Sequence, residues 1–149
     1  MREMAGQCLC GAVRVTLRTG RDTFNACNCG MCRRWSGGGR YYSVFANRDD
    51  LTISGQDRIA ERQTSGWAAR ANCADCGTPI WYRPTAPEAG GGMGLSLGLF
   101  NDISGMTLQY EYFSDLRPPA FDDTGDTHRP LTTAETIAMF APSDEGEPQ

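Results

Sequence analysis

Alternating hydrophobic and polar positions along the chain predict a domain built mainly from short β-strands. Residues 12–18 are the clearest case, since Val13, Val15 and Leu17 fall on one face of the segment and polar side chains fall on the other. A period of two is typical of a strand that buries one face. Residues 40–46 are rich in β-branched and aromatic residues and predict another strand. Further strands are expected at 23–26, 51–54, 58–62, 93–99 and 106–113, and the segments 67–72 and 79–83 flank the last pair of cysteines. Short strands at close intervals favour a mostly β fold made of two sheets.

One helix is predicted, at residues 134–140. Thr132 is followed three residues later by Glu135, which is the spacing of a capping box at a helix N-terminus. Residues 142–149 are polar and acidic, and we expect them to form a disordered tail. Because no internal repeat or domain boundary precedes that tail, residues 1–141 are predicted to form a single domain.

Composition and charge limit the classes of partner. The chain has 149 residues, about the size of one domain, and a net charge of −4, with 14 basic residues that are all arginine. A nucleic-acid binder or a polybasic membrane anchor needs an excess of basic residues, so neither partner is expected. The longest apolar stretch, 93–100, is too short to span a bilayer, and residues 1–6 lack the apolar core of a signal peptide. We therefore expect a cytoplasmic protein.

Seven cysteines are the most informative feature of the composition. An odd number cannot be fully paired in disulfides, and clustered cysteines in a reducing compartment more often bind a metal or carry out redox chemistry. Two pairs, Cys8 with Cys10 and Cys73 with Cys76, each end in Cys-Gly. A glycine there suits a tight turn with positive φ, in which backbone amides can point at thiolates.

These two turns together predict a structural zinc site with four cysteine ligands. Zinc prefers a tetrahedron of thiolates at about 2.3 Å, and turns distant in sequence can close it. The predicted ligands are Cys8, Cys10, Cys73 and Cys76. The alternatives are buried thiols without a metal and a redox Cys-x-x-Cys, which is disfavoured because no βαβ pattern surrounds it.

A third group, Cys27, Cys29 and Cys32, supplies three thiolates within six residues. Three protein ligands leave a fourth position on zinc for water or substrate, which distinguishes catalytic from structural zinc. The alternatives are a second structural site closed by His128 or an aspartate, and an iron–sulfur cluster, which lacks an assigned fourth cysteine.

Three arginines lie close to this group in the sequence: Arg33, Arg34 and Arg40. Positive charge beside a thiol lowers its pKa and favours the thiolate that binds a metal. Three thiolates on a divalent zinc ion carry a formal charge of about −1, which these arginines would offset. They could also attract an anionic substrate.

Three segments together resemble the glutathione-dependent formaldehyde-activating enzyme family, also called the GFA/CENP-V domain family. They are QCLCGAVR at 7–14, CNCGMCRRWSGG at 27–38 and CADCGT at 73–78. Residues 98–102 are similar to the family's late strand and turn, and residues 131–142 to the terminal helix of one bacterial branch. One departure is Asn28, at a position where members often have histidine. Asparagine cannot act as an acid or base, so the resemblance implies no such role for this residue.

The resemblance implies a mostly β, two-sheet zinc fold, related to that of a Rab-binding chaperone, over residues 1–141. It implies a structural zinc at the four-cysteine positions and a second, catalytic zinc at the positions of Cys27, Cys29 and Cys32. The implied activity is that of a carbon–sulfur lyase that condenses formaldehyde, or a related aldehyde, with glutathione to give S-(hydroxymethyl)glutathione, or reverses that step.

Glutathione carries two carboxylates, which Arg33, Arg34 or Arg40 could hold through paired hydrogen bonds. Two other functions remain open beside the lyase. One is a non-catalytic carrier of glutathione or another thiol, because the addition of a thiol to an aldehyde also proceeds without an enzyme. The other is a zinc-stabilised interaction domain, which would need only the four-cysteine site.

Overall fold

Short strands arranged in two sheets make up most of the computed structural model, which describes residues 1–121 and 131–140. The chain divides into two compact units, Met1–Arg117 and Pro118–Gln149. The strands of the described residues are β1 (Arg2–Gln7), β2 (Arg14–Thr19), β3 (Thr23–Cys27), β4 (Tyr41–Asn47), β5 (Leu51–Ser54), β6 (Ile59–Gln63), β7 (Ala68–Cys73), β8 (Pro79–Pro84), β9 (Gly92–Ser96) and β10 (Thr107–Tyr112). The α-helices are α1 (Gly30–Trp35) and α2 (Thr133–Phe140). Single 3-10 turns occupy Arg48–Asp50, Gln56–Arg58, Pro87–Ala89, Leu97–Leu99, Ser114–Leu116 and Pro119–Phe121.

The two sheets enclose an apolar core. The small sheet has the order β1-β2-β5 and the large sheet has the order β10-β3-β4-β9-β8-β7-β6. Neighbouring strands are antiparallel, except that β10 runs parallel to β3. One buried cluster joins Val15 and Leu17 of β2 to Val44 of β4 and Leu95 of β9. The predicted two-sheet β fold is therefore confirmed.

The other face of the large sheet carries polar, aromatic and sulfur-containing side chains, and we call it the open face. Side chains alternate along a strand, so residues that pair across strands share a face. The register pairs Asn25 with Ser43, Phe45 with Gly94, and Gly94 with Tyr82. The open face consists of Thr23, Asn25 and Cys27 of β3, Tyr41, Ser43 and Phe45 of β4, Arg70 of β7 and Tyr82 of β8.

A glycine keeps part of this face accessible. A Cβ atom at Gly94 would lie 2.9 Å from the Oγ of Ser43, which is closer than real Cβ atoms approach a neighbour. Because Gly94 has no side chain, the side chains of the two neighbouring strands can lie over this position of β9. The result is a shallow depression in the middle of the sheet.

Most elements fall where the hydrophobic pattern predicts them, and two lie outside the predicted set. Strand β1 and helix α1 are additions to the predicted strands and the predicted C-terminal helix. Helix α2 begins with the predicted capping box, since Glu135 N donates to Thr132 Oγ1 at 3.1 Å and Thr132 N donates to Glu135 Oε2 at 2.8 Å. The predicted tail at 142–149 and His128 lie outside the described residues, so the 1–141 boundary stays a prediction. Neither described α-helix combines the length and the apolar character required to cross a membrane.

Candidate metal centres and the adjoining cavity

Four cysteine side chains converge where the small sheet meets the large one. The Sγ atoms of Cys8, Cys10, Cys73 and Cys76 all lie within 4.8 Å of one another. Cys8 Sγ lies 3.6 Å from Cys10 Sγ, which lies 3.8 Å from Cys73 Sγ. A tetrahedron with metal–sulfur distances of about 2.3 Å has edges of about 3.8 Å, so both the donor set and its spacing fit a tetrahedral metal ion.

Local backbone geometry explains why these thiols meet. Gly11 and Gly77 both have φ of 78°, the positive value that the sequence analysis predicts for the residue after each cysteine pair. Val13 N donates to Cys8 Sγ at 3.3 Å, and Leu9 N donates to Thr78 Oγ1 at 3.0 Å, which ties one turn to the other. The first pair follows β1 and the second begins at the end of β7, so a metal ion here would link the two sheets.

Three further thiols gather at the end of β3. The Sγ atoms of Cys27, Cys29 and Cys32 lie within 4.8 Å of one another. Cys27 ends β3, and Cys29 is the N-cap of α1, where its sulfur accepts a hydrogen bond from Cys32 N at 3.4 Å. The first turn of α1 therefore reverses the direction of the chain after Cys29 and brings the three sulfur atoms together.

The guanidinium of Arg70 lies directly against this group. Arg70 is 5% exposed, and its Nη2 donates to Cys32 Sγ at 3.3 Å. Its Nη1 donates to Thr64 Oγ1 at 2.6 Å, and its guanidinium carbon lies 5.2 Å from the ring centroid of Tyr82 and 5.7 Å from that of Trp35. Hydrogen bonds from the Cys27 thiol and from Arg70 lower the pKa of Cys32 to about 6, although burial opposes this shift.

A cavity of about 510 Å³ opens beside the three thiols. Its lining combines those cysteines with aromatic side chains and one cation: Cys27, Cys29, Met31, Cys32, Tyr41, Ser43, Trp67, Arg70, Tyr82, Tyr112 and Phe113. The Tyr41 hydroxyl donates to Gly94 O at 2.9 Å and accepts from Ser96 Oγ at 3.1 Å. Burial raises the pKa of both Tyr41 and Tyr82, so both hydroxyls keep their protons at neutral pH.

The three arginines predicted near this group make other contacts. Arg34 Nη1 donates to Gly30 O at 3.2 Å, and Arg40 Nε lies 3.7 Å from Glu111 Oε1. Arg33 has a buried Nε without a hydrogen-bond partner in the described residues. In that part of the chain the cavity lining includes Arg70 and none of these three. Their role as glutathione contacts stays a prediction.

Arg70 is the charged residue of this cavity lining, and the sequence analysis missed it. The sequence feature that could have indicated it is a single charged residue in the run Ala68-Ala69-Arg70-Ala71. In the structure every residue of that run is buried. A cation among small buried residues has to be balanced by a partner elsewhere in the fold.

Asn28 has a structural role at the same place. It is 1% exposed, and its Nδ2 donates to Glu111 Oε1 and to Tyr112 O, each at 3.1 Å. Its backbone N also donates to Tyr112 O at 3.1 Å. Asn28 therefore fastens the end of β10 to the turn that carries Cys27 and Cys29.

Known proteins similar to this chain agree with this description. Residues 3–115 match the family model described as glutathione-dependent formaldehyde-activating enzyme. The chain is 24% identical over 122 residues to an uncharacterised lyase of Schizosaccharomyces pombe, covering 82% of this chain and 86% of that protein. It is 31% identical over 93 residues to a Halomonas elongata protein named, provisionally, a glutathione-dependent formaldehyde-activating enzyme, covering 57% of this chain and 59% of that protein.

A crystal structure of a Rhodobacter sphaeroides protein has the same fold, with a TM-score of 0.55 and 21% identity. The match covers 71% of this chain and all of that chain, 100%. The family match spans both groups of cysteines, since it runs from before Cys8 to well beyond Cys76.

Proposed function

Because the chain belongs to the glutathione-dependent formaldehyde-activating enzyme family, we propose that it is a zinc-dependent carbon–sulfur lyase acting on S-(hydroxymethyl)glutathione. The enzyme condenses formaldehyde, or a related aldehyde, with glutathione, or reverses that condensation. It works in the cytoplasm, where a reducing environment keeps seven free cysteines as thiols.

One observation carries this proposal: three thiols that fit a metal ion all face a cavity of about 510 Å³. A group of four thiols such as Cys8, Cys10, Cys73 and Cys76 satisfies a tetrahedral ion completely and leaves no room for a substrate. A group of three leaves one coordination position for an exogenous ligand. The cavity gives that ligand a place to bind.

Zinc fits both groups, because thiolates are the donors it prefers in tetrahedral sites. We assign a structural ion to the four-cysteine group and a second ion to Cys27, Cys29 and Cys32. When bound at the second group, zinc would supply a Lewis acid for the thiol sulfur or for the aldehyde oxygen.

The reaction itself needs little covalent chemistry. In the forward direction a carbon–sulfur bond forms between the thiol and the aldehyde carbon, and the carbonyl π bond opens. The proton that leaves the sulfur ends on the former carbonyl oxygen. The protein therefore has to hold the sulfur as a thiolate and support the oxygen as it gains charge.

Two side chains of the cavity suit these tasks. The Arg70 guanidinium, next to Cys32, offsets the negative charge of the thiolates and keeps that wall of the cavity attractive to an anion. The Tyr82 hydroxyl, which stays protonated at neutral pH, can donate a hydrogen bond to the developing alkoxide.

The lyase proposal is tested by exchange kinetics together with metal content. Wild-type protein should accelerate the exchange between free formaldehyde and S-(hydroxymethyl)glutathione, measured by NMR magnetisation transfer, and should hold two zinc ions per chain. Cys29→Ser should hold one zinc ion and lose the acceleration. Serine is a good N-cap, so this variant removes a thiolate while keeping the hydrogen bond that begins α1.

Three results would change this proposal. Glutathione binding by calorimetry without any acceleration of exchange would make the protein a thiol carrier. If Cys29→Ser retained both zinc ions and full acceleration, the second group would have no part in the chemistry. Absence of glutathione binding altogether would favour an interaction domain stabilised by the four-cysteine site.

A further inference from the structure

We propose that the open face carries a second pocket that binds the amino-acid end of the thiol substrate, with Arg21 holding its carboxylate and Asn25 its ammonium group. This inference rests on the proposed function, since it places the far end of a substrate whose sulfur lies at the three-cysteine group. The pocket, which we call the Arg21 pocket, has a volume of about 260 Å³. Its lining consists of Arg21, Thr23, Asn25, Phe45, Gln109, Tyr110 and Tyr112.

The Arg21 pocket is connected to the cavity beside the three thiols. A smaller depression of about 180 Å³ lies between them. It shares Ser43, Tyr82 and Tyr112 with the large cavity, and it shares Asn25, Phe45 and Tyr112 with the Arg21 pocket. The three spaces therefore form one groove along the open face.

The length of this groove matches a short peptide. Thr23 and Cys27 stand four residues apart on β3, which corresponds to about 13 Å along a strand. A tripeptide in an extended conformation spans about 10 Å. The sulfur of glutathione is on its middle residue, so with the sulfur near Cys27 the γ-glutamyl arm covers only part of this length. The long side chain of Arg21 reaches back along the groove to meet it.

Arg21 is suited to bind a carboxylate. Its guanidinium carbon lies 4.8 Å from the ring centroid of Phe45, and stacking of this kind holds the guanidinium in one orientation. No ion pair joins Arg21 to an acidic side chain within residues 1–121 and 131–140. A fixed and unneutralised guanidinium can donate two parallel hydrogen bonds to a carboxylate.

Asn25 and Gln109 supply complementary groups in the same pocket. The Oδ1 of Asn25 is buried and has no hydrogen-bond partner in the described residues. A buried acceptor without a donor is costly, and a ligand ammonium or amide N–H would satisfy it. Thr23 Oγ1 donates to Gln109 Oε1 at 3.1 Å, which leaves the amide nitrogen of Gln109 to donate to a ligand.

The combination of a cation, an acceptor and a neutral donor fits an α-amino acid group, in which a carboxylate and an ammonium sit on the same carbon. Glutathione has such a group at its γ-glutamyl end. The Arg21 pocket would therefore select thiols that carry a free amino-acid end and would leave small neutral thiols to bind through sulfur alone.

The experiment uses S-methylglutathione, which has both charged ends but no free thiol, with the zinc-loaded full chain. Calorimetry should give a Kd for Arg21→Gln about tenfold higher than for wild type, because a charge-assisted pair of hydrogen bonds is lost. Arg21→Lys should lie between the two. Arg18→Gln is the matched control, since Arg18 is an exposed arginine on β2 of the small sheet, and its Kd should not change.

The outcomes separate this inference from the lyase proposal. Equal Kd values for wild type and Arg21→Gln would overturn the inference. The inference would also be overturned if the wild-type protein turned over the glutathione adduct but did not bind S-methylglutathione. If Arg21→Gln weakens S-methylglutathione binding while wild type does not accelerate formaldehyde exchange, the role of the Arg21 pocket is supported and the lyase proposal is wrong. With both proposals correct, Arg21→Gln should raise KM for the adduct about tenfold and leave kcat unchanged.

Discussion

The guanidinium of Arg70 and the thiol of Cys32 are in hydrogen-bond contact, with 3.3 Å between Nη2 and Sγ, although 38 residues separate them in the sequence. Arg70 makes no ion pair with a carboxylate in the part of the chain that the structure describes. A buried cation is costly unless negative charge lies nearby. In the proposed zinc site, three thiolates around a divalent ion would carry a formal charge of about −1, and Arg70 would face that negative charge.

Replacing Arg70 with methionine should weaken metal binding at the three-cysteine group. Methionine keeps much of the buried volume but removes the positive charge and the hydrogen bond to Cys32. Residues that contact metal ligands typically change metal affinity by about 10- to 100-fold when replaced, and we expect a zinc affinity lower by that factor at this group only. Competition with a chromophoric chelator measures it directly.

The control for this variant is Arg62→Met. Arg62 pairs with Arg70 across β6 and β7, but it is exposed, so its removal should leave the zinc affinity unchanged. Arg70→Lys should recover part of the loss, because lysine restores the charge without the planar group that stacks on Tyr82. An Arg70→Met protein with wild-type zinc affinity would contradict the charge argument.

The sequence was enough to find the two groups of cysteines, but not the side chains that surround them. Cysteine spacing within Cys27–Cys32 is a local property, so reading the sequence is enough to find the group. Arg70 reaches Cys32 only because β7 occupies a particular position in the large sheet, and no local pattern encodes that position. The same applies to Arg40, which is near the cysteines in sequence but contacts Glu111 on β10.

Two elements were missed for physical reasons. Strand β1 contains a single large apolar residue, Met4, and it exists because it pairs with β2 along its whole length. Gly6 within it is required, since a Cβ atom there would lie 2.3 Å from the carbonyl oxygen of Leu99. Helix α1 has only six residues and is capped by the sulfur of Cys29, whereas sequence rules look for a capping oxygen.

Loss of a ligand should have different effects at the two cysteine groups. Cys73 is fully buried at the end of β7, and its group joins the large sheet to the turn after β1. Cys73→Ser should therefore lower the free energy of unfolding by several kcal/mol, because a structural zinc site contributes folding free energy directly. Thermal unfolding should show a decrease in Tm of at least about 10 °C.

Cys29→Ser serves as the comparison, because it removes one thiol from the other group and retains the helix cap. We expect its Tm to fall by no more than about 3 °C, since no connection between the sheets depends on Cys29. If both variants lost the same stability, the division into a structural and an open site would be wrong. Zinc content per chain should fall by one ion in each case.

Tyr82→Phe should reduce kcat for exchange of the glutathione adduct and have a much smaller effect on KM. The hydroxyl contributes mainly when the carbonyl oxygen gains charge, and removal of one such donor typically costs about 10²-fold or more in kcat. Tyr42→Phe is the control, since Tyr42 lies on the opposite face and packs against Phe24, with ring centroids 5.8 Å apart. A Tyr82→Phe enzyme with unchanged kcat would exclude the hydroxyl as a donor.

The last prediction concerns how stability depends on pH at an ion pair outside the two cysteine groups. Arg83 Nε donates to Glu61 Oε2 at 2.8 Å and Trp81 Nε1 donates to the same oxygen at 2.6 Å. The hydrogen bond from Arg83, followed by that from Trp81, holds the pKa of Glu61 below its usual 4.5, although partial burial acts against them. A carboxylate with a lowered folded-state pKa adds stability that is fully present above pH 4.5 and is lost as the pH falls through the folded-state value.

Glu61→Gln should therefore lower the free energy of unfolding by about 1 kcal/mol at pH 7, a small value because solvent screens a partly exposed pair. The difference from wild type should persist at pH 5 and shrink as the pH is lowered below about 4.5. Urea unfolding of both proteins at each pH measures it, with Glu3→Gln as a control that removes an exposed carboxylate. A difference that grew on acidification would show that the Glu61 carboxylate opposes folding, contrary to its contacts with Arg83 and Trp81.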